Sequence, residues 1–178
     1  MNSLTLLKSA VLITFASLII SSGPAAADSP VPLSAGQTVY VPIYSHIYSG
    51  NKERPVYLAA TLSIRNADPG RAIQITAVDY YDSSGRLLKR YLDSSIELEK
   101  LASIRYVVKE SDKSGGSGAN FIVIWQANQP ATPPLIEAIM ISTQNQQGIS
   151  FTSRGYAIAE NQGNYRKKIS EIPPDKLP

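Results

Sequence analysis

Apolar and polar residues alternate with a period of two through most of this chain. Leu58, Ala60, Leu62 and Ile64 interleave with Ala59, Thr61, Ser63 and Arg65. Ile104, Tyr106 and Val108 interleave with Ser103, Arg105 and Lys109 in the same way. Successive side chains of a strand point to opposite faces, so each pattern predicts a strand with one face buried. Val39, Val41 and Ile43 mark a third strand, placed at a sheet edge by Pro42, which has no N–H to donate. Two runs are apolar at both parities: FIVIW over 121–125 and LIEAIMI over 135–141. They predict central strands covered on both sides. Their shortness and β-branched content argue against buried helices.

Turn residues separate these segments at short intervals. Asp68-Pro69-Gly70, Asp82-Ser83-Ser84-Gly85, Pro133-Pro134 and Asn145 to Gly148 combine preset φ, local side-chain hydrogen bonding or tolerance of positive φ. No stretch sustains a helical apolar period with caps. The expected fold is therefore all-β: an antiparallel immunoglobulin-like β-sandwich of about eight or nine strands, with a closed barrel as the structural rival. Two breaks of phase interrupt the alternation. Ile73 and Ile75 give way to Val78 and Tyr80, and Ile149 and Phe151 to Tyr156 and Ile158 across Gly155. One inserted residue exchanges the two faces, so both read as bulges that curve a sheet.

The ends differ from this core. Lys8, the apolar run Ala10 to Ile20 and the Ala25-Ala26-Ala27 exit form the three parts of a secretory signal peptide. The run is roughly 11 residues, too short to cross a bilayer, which needs about 20. Residues 1–27 are expected to be cleaved, which leaves no transmembrane span and an exported chain, periplasmic or extracellular. Residues 28–35 read as a flexible lead-in, 36–159 as the sandwich domain and 160–178 as a flexible polar tail carrying Arg166, Lys167 and Lys168. About 151 residues suffice for one domain that buries roughly 70% of its unfolded surface. Disulfides are not required at that size, and the chain has no cysteine. A thiol nucleophile and a cysteine metal site are thereby excluded. Seventeen basic and 14 acidic side chains give a net charge of +3. Scattered as they are, they leave no footprint for nucleic acid.

Candidate chemistry centres on ESDKSGGSGANFIVIW, residues 110–125. A P-loop needs its lysine and hydroxyl residue after the glycines and at the start of a helix. Here Lys113 precedes Gly115-Gly116-Ser117-Gly118 and a strand follows, so neither a P-loop nor a dinucleotide fingerprint fits. A small anion cradle of backbone N–H groups beside Lys113 is left open, with a structural turn as the simpler reading. His46 is the sole histidine, which excludes a multi-histidine metal site, and no G-x-S-x-G elbow marks a serine nucleophile. Asp79, Asp82, Glu110, Asp112 and Glu137 are the carboxylates from which a glycosidase pair would be drawn. Ten tyrosines against three phenylalanines favour half-buried faces and binding surfaces.

Five segments in order, GQTVYVPIYSHIYSG, LAATLSIRNADPG, VDYYDSSGRL, VKESDKSGGSGANFIV and TQNQQGISFTSRG, resemble a family of bacterial secreted domains of unknown function. The resemblance runs from about Gly36 to Ile158. It implies that the loops within Ser111–Phe121 and Thr143–Gly155 are more than ordinary turns, and it implies no activity and no catalytic residue.

The expected function is a non-enzymatic binding or interaction module of the cell envelope, without cofactor or metal, whose partner is an envelope protein or a small ligand. The expected surface is Lys113, Ser114, Gly115, Gly116, Ser117, Gly118 and Asn120 with Gln144, Asn145 and Arg154, joined by His46 and Tyr48. In this reading the glycines allow a ligand close to the backbone, and replacing Gly116 leaves the fold intact. The alternatives are a secreted hydrolase of an envelope sugar or ester using His46 or a carboxylate pair, and an assembly subunit pairing through the Val39–Tyr44 edge.

Overall fold

The computed structural model describes residues 32–142 and 148–160, and every regular element among them is a strand. In chain order these are β1 (Ser34–Pro42), β2 (His46–Ser49), β3 (Arg54–Tyr57), β4 (Ala59–Arg65), β5 (Ile73–Tyr81) and β6 (Leu87–Arg90). There follow β7 (Ile96–Leu98), β8 (Ser103–Val108), β9 (Asn120–Ala131), β10 (Leu135–Ser142), β11 (Ile149–Arg154) and β12 (Tyr156–Glu160). Twelve strands replace the expected eight or nine because the short β2, β3, β6 and β7 carry too little alternation to be counted from sequence. The leader, Gln144, Asn145 and the tail beyond Glu160 lie outside the described residues.

One sheet runs β12-β1-β9-β5-β6, with β7 also paired to β5, and a second runs β11-β10-β4-β8. All pairings are antiparallel. The two sheets share one apolar core, so the molecule is a sandwich and not a closed barrel. Val39, Val41, Ile75, Tyr80, Phe121, Val123 and Trp125 of the first sheet pack with Ala60, Leu62, Ile64, Ile136, Ala138 and Met140 of the second. Full burial of an aliphatic or aromatic side chain contributes about 1.5–3 kcal/mol, and this interlayer is where most of that gain arises.

Several sequence expectations change at this level. β9 is central and buried at both parities from Phe121 to Trp125, as its composition predicts. β10 is central too, but only its even positions are covered, and Ile141 on the other face is 46% exposed. Its apolar outer face is a surface, not a second core. β1 is not an edge strand, for β9 pairs it on one side and β12 on the other. Pro42 is tolerated because pairing with β12 ends at Tyr40, and the Pro42 carbonyl accepts a bond from the Ser153 hydroxyl. The Val39–Tyr40 part of the edge expected to serve assembly is thus already occupied by β12.

The first phase break is a bulge: Ile75 faces Trp125 while Ala77 faces Ile124, and the Thr76 hydroxyl bonds the Ile124 carbonyl. The second is not. At Gly155 the chain leaves β11 in one sheet and enters β12 in the other. A Cβ at Gly155 would lie 2.7 Å from Val39 Cγ1 and 3.1 Å from the Ile136 carbonyl, so only glycine makes this crossing without displacement. The domain margins also shift. β1 begins at Ser34, inside the expected lead-in, and Glu160 closes β12 by accepting from Gln37 and Ser34.

Candidate functional site

The pairing registers gather three connections at one end of the sandwich: residues 43–58 with the β2–β3 hairpin, 82–86 and 109–119. Their organising side chain is Tyr80. The Thr76 bulge turns Val78 and Tyr80 into the core, and the Tyr80 ring lies tilted on Phe121 at 5.3 Å. Its hydroxyl comes within 3.2 Å of Ser45 Oγ. Burial raises the Tyr80 pKa above the phenolic value, and Asp112 nearby raises it further against the opposing hydrogen bonds from Ser45, Ser114 and Gly115. The hydroxyl therefore stays protonated and serves as a fixed polar post.

The glycine loop is built on that post. A Cβ at Gly115 would lie 2.0 Å from the Tyr80 hydroxyl oxygen and 2.8 Å from Ser45 Oγ. The Ser83 N–H and hydroxyl both donate to the Gly115 carbonyl, at 2.9 and 3.0 Å, and the Gly118 N–H donates back to Ser83 Oγ at 2.9 Å. Ser45 N–H binds the Gly116 carbonyl and Ile43 N–H the Ala119 carbonyl, each at 2.9 Å. Asp112 accepts from the Ser114 N–H and hydroxyl. Most of these bonds engage the loop's carbonyls, with the Ser114 and Gly118 N–H groups bound by Asp112 and Ser83, and the close contacts at the glycines are with the chain itself. The glycines let the loop approach its own protein, and the expectation that Gly116 is dispensable to the fold is corrected. Gly116 has φ +78°, and a Cβ there would meet Ser83 Oγ at 2.5 Å.

What the loop supports is the hairpin. Ser45 N–H on Gly116 and Leu58 N–H on the Ser45 carbonyl tie both its ends down. Lys113 Nζ sits 4.1 Å from the centroid of the Tyr57 ring, a cation–π contact. Tyr57 pairs with His46 across the hairpin, and the His46 ring meets Tyr48 edge-on at 5.1 Å and Tyr57 at 6.1 Å. His46 Nε2 bonds the Tyr48 hydroxyl at 3.1 Å, whereas its buried Nδ1 has no partner. A catalytic histidine of the triad type is oriented through Nδ1 by a carboxylate, and His46 has no such contact. Tyr48 is 57% exposed.

Of the expected surface, then, Lys113 and residues 114–118 come together with His46 and Tyr48 through Tyr57. Ser117 is half-buried beside them, and Asn120 opens β9 opposite Pro42 and Tyr81. Arg154 does not join. It lies five residues beyond Ile149 along β11, about 16 Å at the usual strand rise, opposite Glu137. Of the carboxylates, Asp79 faces Arg90, Asp82 binds Arg86 at 3.1 Å, and Asp112 accepts from Ser114. Sequence reasoning missed Ser45, Tyr57, Tyr80 and Ser83; the even parity of Tyr80 after the first phase break was the signal available.

The opposite end is locked by a different network. Asn66 Nδ2 lies within hydrogen-bonding distance of the Arg71, Leu98 and Glu99 carbonyls, at 2.8, 3.1 and 3.1 Å. Asp68 accepts N–H bonds from Thr132, Gly70 and Arg71, which together with the Arg71 guanidinium hold its pKa down to about 2.

Among the described residues no group of three His, Cys, Asp or Glu side chains is placed to hold a metal ion, and no helix is long and apolar enough to cross a membrane. No curated protein matches the chain. Among solved structures, the crystal structure of Thermotoga maritima 1070 is similar, with 10% identity and a TM-score of 0.43 over 70% of this chain and 96% of that one. A family model described as "Protein of unknown function (DUF3124)" matches residues 36–158, and the chain belongs to that family.

Proposed function

We propose that this chain is a non-enzymatic binding module, working outside the cytoplasm at a bacterial cell envelope, that engages an envelope protein or small ligand through the loop end of its sandwich. The observation that carries this reading is the glycine loop's use as a foundation. By holding Ser45 and stacking Lys113 on Tyr57, it presents Tyr48, Tyr57, His46 and Lys113 as an aromatic and cationic surface on a rigid base. Aromatic rings held in place cost little conformational entropy on binding and are favoured anchors of interfaces. Export is supported by the leader pattern of residues 1–27.

The test is affinity capture from the organism's own envelope with the wild-type chain and with Tyr48→Ser/Lys113→Ser. Both substitutions fall on exposed side chains, so melting should be unchanged while the captured species drops by tenfold or more, roughly the loss of a single anchor of about 1.4 kcal/mol. Equal capture by both chains would reject this surface.

A further inference from the structure

The outer face of the β11-β10-β4-β8 sheet is used by neither the core nor the loop end. Cross-strand pairing sets Arg154, Glu137, Ser63 and Arg105 in one row across all four strands, with Arg65 two residues along β4. The next row is Thr152, Ile139, Thr61 and Val107, followed by Ser150, Ile141 and Ala59. Opposed residues share a face. The alternate positions Leu62, Ile64, Ala138 and Met140 lie in the core, so these rows point outward. Val107 is 48% exposed. Arg65 leans on Ser63 Oγ at 3.1 Å, while the exposed Arg105 and Arg154 enter no ion pair among the described residues.

Three guanidinium groups against one carboxylate thus adjoin a stripe of aliphatic side chains on a single sheet face. A second copy stacked on it would oppose arginine to arginine. An ordinary protein partner needs about 800 Å² on each side, whereas three strand spacings by six residues project only about 280 Å². A bilayer imposes no such demand: phosphates take guanidinium groups in paired hydrogen bonds, and aliphatic side chains enter the headgroup boundary. We propose that this face docks on an anionic lipid surface, with Arg65, Arg105 and Arg154 at the phosphates and Val107, Ile139 and Ile141 against the acyl boundary. It is a second surface, independent of the loop end.

The test is co-sedimentation of the chain, purified from its own cells, with vesicles of phosphatidylcholine alone and of phosphatidylcholine mixed with phosphatidylglycerol. Binding is expected on the mixed vesicles, with release by salt. Arg105→Gln/Arg154→Gln should weaken that partitioning roughly thirtyfold, about fivefold for each arginine. The Lys pair at the same positions should retain most of it, and Tyr48→Ser/Lys113→Ser should retain all of it. Glu137→Gln, which removes the lone carboxylate, should tighten it, and this keeps the proposal open to refutation if the arginine pair variant does not fold. Equal binding to both vesicle types, unchanged partitioning by a natively melting glutamine pair, no tightening by Glu137→Gln, or capture of an acidic protein with no vesicle binding would each overturn it.

Discussion

Asp68 shows how much structure one side chain can organise. Its carboxylate receives three backbone N–H groups, and the one from Thr132 comes from the β9–β10 connection, 64 residues away. Because the folded pKa is depressed to about 2 from an ordinary 3.8, the stabilisation is fully present above that ordinary value and disappears as pH falls towards 2. Asp68→Asn should therefore melt below the wild type near neutrality, and the two melting curves should converge between about pH 4 and 2. A gap that stays constant over that range in calorimetry would refute the assignment. Asp82 is shifted in the same direction by the Arg86 and Ser84 N–H groups. In the sequence both residues read as turn formers, which they are; the reach of Asp68 to Thr132 has no local signature.

Among elements, the loop before β9 and the end of β5 form one unit. Gly115 is glycine because the Tyr80 hydroxyl occupies the place of its Cβ. Gly115→Ala should destabilise by about 1–3 kcal/mol, the usual cost of overpacking. Tyr80→Phe alone should cost about 1 kcal/mol from its lost hydrogen bonds. In the double variant the alanine should cost less than it does alone, since the clashing oxygen is gone. Additive losses in denaturant titrations would mean that the loop and Tyr80 are not coupled. The two phase breaks illustrate the limit of periodicity. At Thr76 the buried face changes and the strand stays in its sheet, whereas at Gly155 the chain moves to the other sheet and the apolar Tyr156 and Ile158 are left exposed. Alternation records which positions are apolar, not what packs against them.

For the molecule as a whole, β12 closes the sheet that β1 begins. It pairs Gln37 to Tyr40, so the first and last described strands lie side by side. Removing residues 155–178 would leave β1 with an open edge beside Val39 and Val41, and unpaired edges recruit other chains. The shortened protein should self-associate with concentration in sedimentation analysis, whereas the full chain should not do so through β1. A monomer at all concentrations would show that β12 is not what guards this strand.

By itself the sequence determined the all-β class, the strands β4, β5, β8 and β9 and their buried faces, because a period of two is a local property that burial imposes on each strand separately. It also marked His46, Tyr48 and the Lys113–Gly118 loop as candidates, through residue types that stand out in any context. Only the tertiary structure decided that β1 is interior, that Gly155 carries the chain between sheets, that Arg154 sits with Arg65 and Arg105 and not with the glycines, and that Tyr80 supports the loop. These depend on which strands become neighbours, and that choice is made by contacts between residues far apart in the chain, where no spacing rule reaches.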